Sequence, residues 1–179
     1  MRFFSGFGFK DDVRLFSELL REFHYKCDDY TICGFSKGAQ EALDFTLNAQ
    51  TRINRLILLS PAFFHDKDSA FKSMQIRQFT KNKNIYMNKF YKNVGIEADS
   101  AFLCDIKELD STQLEECLDY TFSDSSLQAL QKKGIEIVIF LGENDKIIDA
   151  KIAYHFFSNL VIVYFLKNAN HLLKTTSYN

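Results

Sequence analysis

The amino-acid sequence predicts an α/β protein: a reduced, mostly parallel sheet of about five strands with an inserted helical lid. Three observations point there. Five apolar runs of strand length recur along the 179 residues, amphipathic helix-length segments separate them, and residues 62–124 carry helical patterns with no comparable strand. The runs are continuously apolar rather than alternating, as expected of strands buried on both faces in a parallel sheet.

The first run covers residues 2–4. A helix is expected over 13–23, where Val13, Phe16, Leu19, Leu20 and Phe23 share one helical face. The second run, 30–33, leads into a helix over 37–48 that carries Ala39, Ala42, Leu43 and Leu47 on its apolar side. The third run is 56–59 and the fourth 135–141. Asp149 is placed to cap a helix over 152–157, and the fifth run spans 161–166. Alternating strand and helix make a doubly wound sheet. The expected organisation is a single domain, with residues 1–61 and 125–179 as core and 62–124 as the lid.

The lid segment has a divided charge. Residues 65–93 hold seven Lys or Arg against Asp66 and Asp68, net +5, whereas residues 94–124 hold nine acids against Lys107, net −8. The whole chain is nearly neutral at −1, which argues against a nucleic-acid or membrane binder and leaves charged partners to local patches. The start of the chain lacks a signal-peptide pattern, because Asp11 and Asp12 follow a broken apolar run. The longest apolar run, 160–166, is too short to span a bilayer. Cys27, Cys33, Cys104 and Cys117 show no CxxC spacing. A cytoplasmic monomer without metal or cofactor is therefore expected.

The sharpest motif is Gly34-Phe35-Ser36-Lys37-Gly38, a G-x-S-x-G set between a strand and a helix. That is the context of a nucleophile elbow, in which a tight strand-to-helix turn lifts the serine out at a helix N-terminus. Ser36 is the candidate nucleophile of an α/β-hydrolase fold. Of the four histidines, His24 follows a helix, His65 starts the lid and His155 lies within a helix. His171 stands just past the last strand, where this fold returns its base to the nucleophile. The acid is sought after the fourth strand in Gly142-Glu143-Asn144-Asp145, and Asp145 is preferred to Glu143, since a short loop after Gly142 turns it toward the imidazole. Asp149 is accounted for as a helix cap. The order Ser36, Asp145, His171 is the one this fold imposes. An oxyanion hole is expected from the backbone N–H of Lys37 and that of Phe7, in the glycine-containing loop after the first strand.

These residues resemble a known family. Ser5-Gly6-Phe7-Gly8 is similar to the H-G-W-G loop of the pimeloyl-[acyl-carrier protein] methyl ester esterases of biotin synthesis, and Gly34 to Ala39 is similar to their elbow. The likeness is greatest to the short bacterial form. It extends through Leu59-Ser60-Pro61, through the lid segment Met87-Asn88-Lys89-Phe90-Tyr91-Lys92-Asn93-Val94-Gly95, and through Leu118-Asp119-Tyr120 to Ser123-Asp124. Ser5 and Phe7 depart from the family's His and Trp, but the oxyanion contact is a backbone N–H. Lys37 stands where an apolar residue is usual and is expected to put a cation at the pocket mouth.

The resemblance implies hydrolysis of the methyl ester of pimeloyl-carrier protein to pimeloyl-carrier protein and methanol, with Ser36 forming an acyl-enzyme. The partner would be an acidic acyl carrier protein, and Lys72, Arg77 and Lys81 in the basic half of the lid are the candidate docking residues. A general acyl esterase or thioesterase would share the triad. A non-catalytic binding protein of this fold typically lacks a triad member, and here all three are present.

Overall fold

The computed structural model describes residues 1–26, 28–97 and 99–175. Five strands, β1 (Arg2–Phe4), β2 (Thr31–Phe35), β3 (Arg55–Leu59), β4 (Glu136–Gly142) and β5 (Ile162–Leu166), form one sheet in sequence order. Every neighbouring pair is parallel. Strands β2, β3 and β4 are buried over almost their whole length. Their continuous apolar runs are what a strand covered on both faces needs.

The helices are α1 (Ser17–Glu22), α2 (Lys37–Asn48), α3 (Ser69–Lys81), α4 (Lys83–Val94), α5 (Ser111–Asp119), α6 (Asp124–Lys132) and α7 (Ala150–Phe157). The helix expected over 13–23 is split, because a 3-10 turn at Asp12–Phe16 precedes α1. Asp12 is completely buried, so the chain must tighten to bring its carboxyl inward before the α-helical face can begin. Asp149 caps α7 by accepting from Lys151 N and Ile152 N, at 3.0 and 3.1 Å.

The two faces are covered by different segments. Phe3 meets Phe16 of the 3-10 turn, while Phe4 meets Phe45 of α2. Adjacent strand residues point to opposite faces, so the 12–22 segment and α2 lie on opposite sides of the sheet. The strands advance in one direction across the sheet. The β1–β2 connection therefore has the opposite hand to the β2–β3 connection, a departure from the usual uniform handedness of parallel crossovers.

Between β3 and β4 the chain leaves the sheet to form α3, α4 and α5, each started by a side-chain cap. Asp68 accepts from Phe71 N at 2.8 Å, Asn82 from Ile85 N at 3.0 Å, and Asp110 with Gln113 makes a capping box. Helices α3 and α5 pack on one another, and α6 returns to the sheet against α2 and β4. Gln40 ties this excursion to the core: its buried Nε2 donates to Ala62 O at 2.8 Å and to Cys117 O at 2.9 Å.

Candidate active site

Ser36 sits between the end of β2 and the start of α2 with φ 54° and ψ −117°. A non-glycine residue held there stores roughly 1–3 kcal/mol of backbone strain. The surroundings over-determine the turn. Ser36 N donates to Leu59 O at 3.0 Å, and Ser36 O accepts from Ala39 N at 3.0 Å and Ala62 N at 3.1 Å. The flanking glycines are required by space: a Cβ on Gly34 would lie 2.2 Å from Gly38 O, and one on Gly38 would lie 2.1 Å from Phe4 O.

The C-terminal ends of β4 and β5 bring the other two residues to the serine. Glu143 N donates to Leu166 O at 3.0 Å and Asn144 N to Ala169 O at 2.8 Å, which joins the two loops. Gly142 permits the approach, since a Cβ there would be 2.3 Å from Asn170 O. Asn170 Oδ1 accepts from Leu172 N at 2.9 Å and Lys174 N at 3.2 Å, folding the loop around His171. His171 Nε2 is 3.1 Å from Ser36 Oγ, and His171 Nδ1 is 2.6 Å from Asp145 Oδ2. The His171 and Asp145 side chains are fully buried. The second oxygen of Asp145 accepts from Ile147 N at 2.7 Å and Ile148 N at 3.2 Å, so the carboxylate is fixed from both ends. With Nδ1–H donated to Asp145, Nε2 is left as acceptor for the Ser36 hydroxyl proton.

Glu143, the weaker choice for the acid, instead accepts from Asn168 N at 3.0 Å. The other histidines lie apart from this relay. His65 Nε2 accepts from Phe122 N at 2.9 Å, and its ring stacks on Phe63 at 4.0 Å. His155 belongs to α7, and His24 follows α1 with φ 59°.

Ser36 and Phe7 open on a cavity of about 250 Å³. Helices α3 and α4 each present it with one stripe at i, i+3, i+4 and i+7: Phe71, Met74, Gln75 and Gln78 from the first, and Tyr86, Lys89, Phe90 and Asn93 from the second. Tyr86 Oη donates to Gln75 Oε1 at 3.1 Å, and burial pushes its phenol above the usual range. Lys37 does not supply the cation expected at the mouth. Its side chain turns back along α2 to pair with Glu41 one turn on, and the lysines lining the cavity are Lys89 and Lys146.

Lys72, Arg77 and Lys81 lie elsewhere, in a wider surface groove of about 720 Å³ that contains none of Ser36, His171 and Asp145. At 100° per residue, the α3 residues lining the groove occupy the face opposite those lining the cavity. Lys72 Nζ pairs with Asp119 there at 3.1 Å. Among the described residues no cluster of His, Cys, Asp and Glu could hold a metal ion, and no helix is long and apolar enough to cross a membrane.

No protein-family model and no curated protein matches the sequence. Solved structures do match. Naproxen esterase (carboxylesterase NP) from Bacillus subtilis aligns at 20% identity and TM-score 0.53, over 93% of this chain and 62% of that one. A bromoperoxidase from Bacillus anthracis aligns at 17% identity and TM-score 0.59, over 93% of this chain and 69% of that one. MenH from S. aureus aligns at 14% identity and TM-score 0.51, over 94% of this chain and 85% of that one. The chain thus spans less than two thirds of naproxen esterase. Together with the parallel sheet, these likenesses show the α/β-hydrolase fold.

Proposed function

We propose that this protein is a serine carboxylesterase, and that its substrate is the methyl ester of a pimeloyl group carried on an acyl carrier protein. The observation that carries the hydrolase reading is the buried relay from Ser36 Oγ through His171 to Asp145, with the serine facing a mostly apolar cavity. Ser36 Oγ attacks the ester carbonyl as its proton passes to His171 Nε2. The oxyanion forms opposite the N–H groups of Phe7 and Lys37. Collapse expels methanol, which takes the proton from His171. Water then repeats the sequence on the acyl-enzyme, giving the free carboxylate and restoring Ser36.

The carrier-linked substrate rests on the sequence resemblance, and two structural features support it. The cavity that Ser36 opens on is lined largely by Phe, Met and Leu and suits one end of an acyl chain. The cationic outer face of α3, with Lys72, Arg77 and Lys81, suits an acidic carrier. A general acyl esterase is the second reading, favoured by the fold that the chain shares with naproxen esterase.

The test is direct. Incubation with a serine-reactive phosphonate followed by peptide mass spectrometry is expected to label Ser36, and Ser36→Ala is expected to abolish both labelling and hydrolysis. Full hydrolysis by Ser36→Ala would refute the mechanism. Comparing pimeloyl-carrier methyl ester with free dimethyl pimelate separates the two substrates. Equal kcat/KM on both favours the general esterase.

A further inference from the structure

The loop after β1 has to aim an N–H at a developing oxyanion, and its peptide groups are used in a particular way. Phe9 N donates to Gly6 O at 3.0 Å, closing a turn in which Phe7 and Gly8 are the central residues. Gly8 has φ +78°, as the third position of a type II turn requires. In such a turn the N–H of the second residue takes no part in the closing bond. Among the described residues no acceptor is found for Phe7 N or for Lys37 N.

Both ends of that free amide are held by partners outside the loop. On one side, Gly6 N donates to Asp12 Oδ2 at 3.0 Å, and Asp12 is fully buried at the start of the 3-10 turn. On the other, Tyr91 Oη donates to Gly8 O at 3.1 Å, with Cys104 N a second donor at the same distance. Tyr91 is buried in the last turn of α4, on the excursion between β3 and β4. A Cβ on Gly8 would lie 2.9 Å from Tyr91 Oη and 2.7 Å from Met87 Cε, so the loop is pressed against α4. Burial pushes the Tyr91 phenol above its usual range, which keeps it a donor at any working pH.

From these contacts we infer that Asp12 and Tyr91 are positioning residues: they clamp the Gly6–Gly8 turn from the sheet side and the α4 side, so that Phe7 N–H stays aimed at the oxyanion. Neither touches substrate. Tyr91 makes the seating of α4 part of the catalytic geometry, since a displaced α4 withdraws a hydrogen bond from the loop. This inference rests on the serine-esterase reading.

The experiment measures kcat and KM on p-nitrophenyl butyrate, normalised to phosphonate-labelled serine so that unfolded enzyme is not counted. It also measures inhibition by a trifluoromethyl ketone, whose serine adduct puts an oxyanion in the hole. Tyr91→Phe should lower kcat about three- to tenfold and Asp12→Ala about tenfold or more, with KM nearly constant and ketone affinity falling in parallel with kcat. Asp12→Asn keeps an acceptor for Gly6 N–H and should recover most of the loss. The inference is overturned if Tyr91→Phe keeps the wild-type kcat, if Asp12→Asn behaves like Asp12→Ala, or if kcat falls while ketone affinity does not. Should Asp12→Ala fail to fold, Tyr91→Phe and Asp12→Asn decide alone. A wild type that hydrolyses no ester refutes the esterase reading and this inference with it, whereas an active wild type beside an unaffected Tyr91→Phe refutes the clamp alone.

Discussion

At the scale of single residues, the site is a set of constrained polar groups, and Asp145 shows how the constraint works. One oxygen takes the His171 Nδ1 proton and the other takes two backbone N–H groups, so neither can turn away. Asp145→Asn would keep the shape and present an amide NH₂ or its oxygen to Nδ1. The two backbone donors hold the amide oxygen on their side, leaving the NH₂ toward the imidazole. Nδ1 then becomes the acceptor and Nε2 carries the proton, which is the wrong tautomer for accepting from Ser36. The expected result is a fall in kcat of about 10³- to 10⁴-fold with little change in KM, measured by steady-state ester hydrolysis. A loss below about tenfold would mean that another group orients His171.

At the scale of elements, much was legible in the sequence. Strands β2 to β5 lie within a residue or two of the apolar runs; for β2, β3 and β4 the trace follows from burial on both faces, whereas β5 is an edge strand whose apolar run stays half-buried or exposed. The proximity of Ser36, His171 and Asp145 was legible because each follows a strand end, where Gly34, Gly38 and Gly142 mark the close approaches. Asp12 and Tyr91 were not legible, since each acts on a loop distant in sequence or across a turn, and no local pattern encodes such a contact. The direction of the Lys37 side chain was not legible, because a departure at one motif position does not show that the side chain pairs with Glu41 one turn on. His65 is another contact of this tertiary kind: its ring packs among Phe63, Phe122 and Phe156 and its Nε2 accepts from Phe122 N, which joins the start of the excursion to its end. Burial lowers its pKa below 6.5, the positive charge of Lys72 lowers it further, and Asp66 partly opposes both. A histidine with a depressed folded pKa contributes stability that is full above its unfolded value and is lost as pH falls through the folded one. Chemical denaturation between pH 7.5 and 5 should therefore show a steeper loss of stability in the wild type than in His65→Gln, which can accept the bond without titrating. Parallel profiles would remove His65 from the pH dependence.

At the scale of the whole molecule, charge is distributed in a way that a net value of −1 conceals. The cations of residues 65–93 and the acids of 94–124 belong to one excursion, and α3 separates the serine's cavity from the groove that holds Lys72, Arg77 and Lys81. A carrier seated in that groove would approach from the face of α3 opposite the cavity, and Leu118 of α5, which lines both, marks where the groove and the cavity adjoin. Lys72 is a poor probe of this idea, because reversing it would set a second acid against Asp119 and disturb the packing of α3 on α5. Arg77 and Lys81 make no ion pair among the described residues and lie one helical turn apart. The informative quantity is the ratio of kcat/KM for the carrier-linked ester to that for a small free ester, since any general damage to the fold cancels in it. Replacing both residues by Glu should lower that ratio by about tenfold or more through slower association, and raising salt from 0.05 to about 0.5 M should lower it in the wild type but hardly in the variant. A ratio that responds to neither change would move the docking surface away from α3, with Lys89 and Lys146 at the cavity as the next cations to reverse.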